Sequence, residues 1–161
     1  MLAYRILLVC TGNTCRSPMA GAILRDLLAQ RAGERAGEFV VETAGIDAEP
    51  NGQAHADAIA VMREQGLDLS GHVTRRLDPE MVAQADLILT MSRAHKQAVL
   101  SMHPRAAEKT FTLLEYAHND LENDIKDPFG KSREVYRTTA AELRRALAAV
   151  VEKLLSDPFS S

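Results

Sequence analysis

The sequence predicts a single-domain α/β fold spanning residues 1–161, an open parallel four-stranded sheet flanked by helices. Three observations predict it. Short apolar runs of strand length alternate with longer segments whose apolar residues recur every three or four positions. That order is expected of parallel βαβ units with right-handed crossovers. A chain of 161 residues, 46% hydrophobic and 25% charged, matches one ordinary globule with a real core. No internal repeat, low-complexity tract or linker divides it.

The first strand is the run Tyr4-Arg5-Ile6-Leu7-Leu8-Val9. A polar, glycine-bearing loop follows, Cys10-Thr11-Gly12-Asn13-Thr14-Cys15-Arg16-Ser17-Pro18, and leads into a helix. Ser17 reads as its N-cap and Pro18 as its first helical residue. Met19, Ile23 and Leu27, with Ala20, Leu24 and Leu28 beside them, form one apolar stripe. Gly33 and Gly37 mark a polar break before a second strand, Phe39–Thr43. The turn-rich segment Ala44–Gly52 opens an alanine-rich helix ending near Gly66. Asp78-Pro79 reads as an N-cap and first helical residue, Leu87–Met91 as a third strand, and Ser92 as the cap of a helix carrying Ala94, Ala98, Val99 and Met102. Thr110–Leu114 is a weaker fourth strand. In the final helix, Leu143, Leu147, Val150, Val151 and Leu154 fall on one face.

Bulk properties exclude several classes. A net charge of −3 without a basic cluster argues against nucleic acid as a partner. No run approaches membrane-spanning length, and the start of the chain has no signal-peptide architecture. Two cysteines five apart are not a secreted disulfide framework, so a cytoplasmic location is expected. The remaining histidines, His55, His95, His103 and His118, show no metal-ligand spacing and read as surface or capping residues. Neither a metal nor another cofactor is expected.

The chemistry concentrates at Cys10 and Arg16. In open α/β sheets ligands sit beyond the carboxyl ends of the strands, where Cys10 falls. Backbone N–H groups of such a loop can converge on an anion, with the positive end of the next helix aimed at the same spot. A free cysteine at a strand end is otherwise a small buried hydrophobe. Here loop amides, the helix N-terminus and Arg16 all favour the thiolate, a nucleophile for phosphorus. Arg16, a solvated surface residue in the blander reading, lies where its planar fork can clamp two phosphoryl oxygens. Displacement by a thiolate also needs an acid for the leaving atom. The candidate is Asp127 in Lys126-Asp127-Pro128-Phe129-Gly130, although Asp-Pro taken alone is more often just a turn. Pro128 biases Asp127 toward extended backbone, and Phe129 can wall a slot.

Together, Cys10-Thr11-Gly12-Asn13-Thr14-Cys15-Arg16-Ser17 and Asp127-Pro128 resemble the two signatures of the low-molecular-weight protein tyrosine phosphatases. The resemblance runs from Ile6 through the last helix. It implies a phosphocysteine intermediate on Cys10, a phosphate cradle over residues 11–17 and Arg16 as the transition-state clamp. It also implies Asp127 as the acid and then as the base for water. Asn13, Ser17, Thr43 and His72 resemble the network that holds the loop open, and Cys15 resembles the second loop cysteine that pairs reversibly with the nucleophile under oxidation. Phosphorylated proteins are the implied partners, opposed by a protein kinase, and a monomer or weak dimer is expected.

One position departs from the tyrosine-directed pattern. Such members carry a bulky aliphatic residue where this chain has Thr14, and threonine there resembles the bacterial protein-arginine phosphatases. Pro50-Asn51-Gly52, His95-Lys96-Gln97 and Phe111-Thr112-Leu113 share that resemblance. A phosphoguanidinium brings N–H donors that a hydroxyl can accept and an aliphatic group would leave unpaired. The favoured substrate is therefore protein phosphoarginine, with an arginine-directed kinase as opponent, and phosphotyrosine is the alternative. Thr14 is, in the bland reading, merely a tolerated small residue. Arsenate reductases share the loop but need further cysteines downstream, and none follows Cys15. A non-catalytic phosphate-binding module would have no use for Asp127.

Overall fold

The computed structural model describes residues 3–156. Four parallel strands, β1 (Tyr4–Cys10), β2 (Phe39–Gly45), β3 (Leu87–Thr90) and β4 (Thr110–Thr112), form a sheet in the order β2-β1-β3-β4. The helices are α1 (Arg16–Ala32), α2 (Ala56–Glu64), α3 (Pro79–Gln84), α4 (Arg93–Met102), α5 (Leu113–His118) and α6 (Arg133–Ser156). Short 3₁₀ stretches at Gly33–Glu38 and Pro104–Lys109 lead into β2 and β4.

The alternation of side chains along β1 divides the core into two layers. Ile6 and Leu8 face one side with Leu89, the α1 residues Met19, Ile23 and Leu27, and the α6 residues Leu143, Leu147 and Val151. Leu7 and Val9 face the other, against Ile88, Val82 of α3 and Val99 of α4. Every member of the predicted α1 and α6 stripes is buried. Since burying one such side chain is worth about 1.5–3 kcal/mol, these two stripes hold the helices to the sheet. β1 lies between β2 and β3, with Cys10 opposite Gly45 and Val9 opposite Thr90. Its carboxyl end is therefore the crevice of the sheet.

Local signals hold at two helix starts. Asp78 accepts the Met81 N–H and Ser92 the His95 N–H, each as an N-cap. Three expectations need correction. Ser17 is not an N-cap: α1 already starts at Arg16 with Cys15 as its cap residue, and the Ser17 side chain turns into the loop. β4 stops at Thr112, because Thr112 and Glu115 close a reciprocal capping box that starts α5. Leu113 and Leu114 are thus helical, their burial having imitated a strand. β2 runs on to Gly45, two residues past the expected end.

Candidate active site

Cys10 ends β1, Arg16 begins α1, and the residues between them turn around a buried asparagine. Asn13 has φ 57°, a left-handed conformation that asparagine tolerates better than most residues. Both ends of its side chain are hydrogen-bonded. Nδ2 donates to Ser17 Oγ at 2.8 Å and to Thr43 Oγ1 at 2.9 Å, while Oδ1 accepts the Arg75 N–H at 2.9 Å. Its carbonyl accepts from His72 Nε2 at 2.8 Å, which fixes the His72 proton on that nitrogen. Burial holds the His72 imidazole below its ordinary range, opposed by this hydrogen bond, so the ring stays neutral. Asn13, Ser17, Thr43 and His72 are therefore one connected network, with Arg75 as a member that sequence did not suggest.

Cys10 Sγ lies 3.3 Å from the Asn13 amide and 3.0 Å from Ser17 Oγ. Ser17 Oγ already accepts from Asn13, so its own proton is left for the sulfur. The turn that follows β2 pins the loop backbone as well: Ile46 N–H donates to the Cys10 carbonyl and Asp47 N–H to the Thr11 carbonyl, each at 2.9 Å. Gly45 makes this approach possible. A Cβ there would lie 2.6 Å from the Thr11 carbonyl oxygen and 2.8 Å from the Asn13 nitrogen.

The Arg16 guanidinium is buried and held edge-on. Nη1 donates to the Ile125 carbonyl at 2.8 Å, Nη2 to Thr11 Oγ1 at 3.4 Å, and Nη2 lies 3.7 Å from Asp127 Oδ2. Asp127 is half exposed, and its Oδ1 accepts the Phe129 N–H at 3.1 Å. Cys10, Thr11, Gly12, Thr14, Cys15, Arg16, Asp127 and Phe129 line a pocket of about 220 Å³. A larger cavity of about 650 Å³ lies behind the loop against His72, Thr43 and Arg75, away from the thiol.

Besides Arg75, sequence reasoning missed three residues here. Phe129 meets the His55 ring edge-on at 5.7 Å between centroids, and His55 stacks on Tyr136 at 5.2 Å. Tyr136 Oη reaches Cys15 Sγ at 3.4 Å. Burial raises the Cys15 thiol above its ordinary range, against the Tyr136 and Thr14 hydrogen bonds, and burial also raises the Tyr136 hydroxyl. Both stay protonated. His55 does cap α2, accepting the Asp57 N–H, but its backbone N–H also holds the Thr14 carbonyl at 2.9 Å. His95 is no surface residue: it is buried, and its Nε2 lies 2.8 Å from Thr11 Oγ1. Burial first, and the nearby Arg16 cation second, push its imidazole down to about 4.

Among the described residues no three His, Cys, Asp or Glu side chains converge as metal ligands would, and no helix is long and apolar enough to cross a membrane.

A cysteine and an arginine bracketing a pinned loop, at the carboxyl edge of a parallel sheet, define a cysteine-dependent phosphatase. The family model for low-molecular-weight phosphotyrosine protein phosphatases matches residues 5–158. A protein-arginine-phosphatase of Bacillus subtilis is 40% identical over 152 residues, covering 94% of this chain and 97% of its own length. A probable low-molecular-weight protein-tyrosine-phosphatase, EpsP, of Ralstonia nicotianae is 37% identical over 150 residues, covering 92% and 94%. Among solved structures, a cysteine-to-serine mutant of the YwlE arginine phosphatase with a phosphorylated active-site serine superposes with a TM-score of 0.90. It is 36% identical, covering 98% of this chain and 99% of the other. The chain belongs to the low-molecular-weight phosphotyrosine protein phosphatase family.

Proposed function

We propose that the protein hydrolyses phosphoarginine in proteins, with Cys10 as nucleophile, Arg16 as clamp and Asp127 as acid and base. The observation that carries the substrate assignment is Thr14, whose side chain lines the same pocket as Cys10, Arg16 and Asp127. The resemblance to relatives named arginine phosphatases supports it.

In the first step Cys10 Sγ attacks phosphorus in line while the bond from phosphorus to the guanidine nitrogen breaks, and the Asp127 carboxyl gives that nitrogen its proton. Loop amides and the Arg16 fork take up the charge on the equatorial oxygens. Arrival of the phosphoryl group draws Arg16 away from Asp127 Oδ2, leaving the carboxyl to the leaving group. In the second step the Asp127 carboxylate takes a proton from water, the oxygen attacks phosphorus, and the sulfur–phosphorus bond breaks to release phosphate. Should hydrogen peroxide oxidise the Cys10 thiolate to a sulfenic acid, being itself reduced to hydroxide, condensation with the Cys15 thiol yields a disulfide and water, protecting the nucleophile.

The Thr14 hydroxyl accepts from the guanidinium, and Asp127, once it has given up its proton, attracts the charge of the departing group. A branched aliphatic side chain would remove the acceptor and favour a flat phenol against Phe129. Losing a hydrogen bond to a charged group is worth roughly 1.5–3 kcal/mol, about a ten- to hundred-fold change. Turnover of a phosphoarginine protein is to be compared with that of a phosphotyrosine peptide. Thr14→Ile is expected to lower the first by about that factor and spare the second. Parallel losses would reduce Thr14 to a support of the loop, and a wild-type preference for phosphotyrosine would overturn the substrate.

A further inference from the structure

His95 and Thr11 are 84 residues apart in sequence, yet they make a 2.8 Å hydrogen bond at the lip of the pocket. Either atom can be the donor in principle, and the surroundings decide between them. His95 Nδ1 is buried and has no hydrogen-bond partner among the described residues. A buried N–H without an acceptor is rarer and costlier than a lone pair without a donor. The neutral ring therefore keeps its proton on Nε2, where an acceptor exists, and donates it to Thr11 Oγ1. Arg16 Nη2 donates to the same oxygen at 3.4 Å. A hydroxyl has two acceptor positions and one proton. With both acceptor positions taken, the Thr11 proton turns to the remaining side, and Thr11 is an exposed residue of the pocket lining.

We propose that the Thr11 side chain touches the reacting group, donating its hydroxyl proton to a phosphoryl oxygen, and that His95 is the positioning residue that aims it. The inference rests on the assignment of Cys10 and Arg16 above. It gives the pocket one hydroxyl donor beyond the loop amides and Arg16, and a donor suited to the negative charge that spreads over phosphoryl oxygens. The groups that face His95 favour this state. Arg16 opposes a second proton on the ring, while the carboxylates of Asp124 and Asp127 act against that effect without restoring an ordinary affinity for protons. Such a second proton would also fall on Nδ1, where no acceptor stands.

The ¹⁵N spectrum of the histidine rings near neutral pH reads the tautomer without reference to activity, and His95 is expected to be protonated on Nε2. With p-nitrophenyl phosphate as probe, Thr11→Val and His95→Leu are each expected to lower kcat about ten- to hundred-fold, leaving KM nearly unchanged. The double variant should lose no more than the worse single, since both remove one device. His95→Gln, which keeps an N–H at similar reach, and Thr11→Ser are expected to recover most of the rate. Thr11 is exposed, so Thr11→Val does not threaten the fold if His95→Leu does. A ring protonated on Nδ1, a wild-type kcat in Thr11→Val, or losses that multiply in the double variant would each overturn the proposal. A Cys10→Ser variant that still turned over would sink the site assignment itself. An inactive Cys10→Ser beside a fully active Thr11→Val removes only Thr11 and His95.

Discussion

The pocket has two walls built on opposite plans. The loop from Cys10 to Ser17 is cross-braced: Asn13, itself buried, bonds to Ser17, Thr43, His72 and Arg75, and the amides of Ile46 and Asp47, just past β2, hold Cys10 and Thr11 from behind. The facing segment at Asp127–Phe129 is open. Asp127 is 50% exposed, Phe129 is 63% exposed, and the backbone N–H bonds there are local, from Phe129 N to Asp127 Oδ1 and from Lys131 N to the Pro128 carbonyl; the Arg16 ion pair and the His55 ring reach the segment from afar. The difference matches the two tasks. Stabilising a phosphoryl transition state needs donors fixed before the reaction begins, because preorganised dipoles cost nothing to reorient. Admitting and protonating a leaving group attached to a whole protein needs a wall open to solvent.

The comparison breaks first at Cys10. Cys10→Ser is expected to take turnover to background while vanadate still binds, because the braces do not depend on the sulfur; loss of vanadate binding, measured by calorimetry, would show that they do. On the open wall, Asp127→Asn should cost about 10²–10⁴-fold with poor leaving groups and much less with activated aryl phosphates. Uniform full activity across a leaving-group series would move the acid elsewhere.

Acid should weaken the braced side selectively. His95 titrates at about 4 in the fold against about 6.5 in an unfolded chain, and His72 is also lowered. Between those values the unfolded chain binds the extra proton, so stability is full above the unfolded value and declines as pH falls toward the folded one. The His95 contribution is on the order of 3 kcal/mol by the foot of that window. Urea unfolding followed across the window should show the decline in the wild type and a shallower one in His95→Gln. Equal slopes would exclude His95 as its source. The smallest expected effect is at the seam between β2 and the loop. Gly45→Ala forces a Cβ against the Thr11 carbonyl and should cost about 1–3 kcal/mol of stability, seen as a lower Tm, together with reduced turnover. An unchanged Tm would show that the seam yields.

Much of this was legible in the sequence where the signal is local. The strand exit at Cys10, the caps Asp78 and Ser92, and the stripes of α1 and α6 follow from spacing alone. The capping box at Thr112-Leu113-Leu114-Glu115 was equally local, but two buried leucines after a short β-like run outweighed it. Ser17 misled for a different reason. Serine before proline at a helix start normally caps it, whereas here its hydroxyl is taken by Asn13 and Cys10. What remained illegible was long-range. No spacing links Tyr136 to Cys15, His95 to Thr11 or Ile125 to Arg16, because only the sheet order and the helices packed on it bring them together. His72 was reached only by resemblance, and the structure supplies its reason in the Asn13 carbonyl.

Those long separations also order events in time. Arg16 waits 109 residues for the carbonyl of Ile125, and Cys15 waits 121 residues for the hydroxyl of Tyr136. At a synthesis rate of about 5–20 residues per second, that interval is roughly 5–25 s. Throughout it the growing chain carries the Cys15 thiol and the apolar stripe of α1 without α6 to cover them. A ribosome stalled within α6 therefore holds an uncovered α1 stripe and a loop thiol still without its Tyr136 partner, and how long both stay bare depends on the speed with which the last helix arrives.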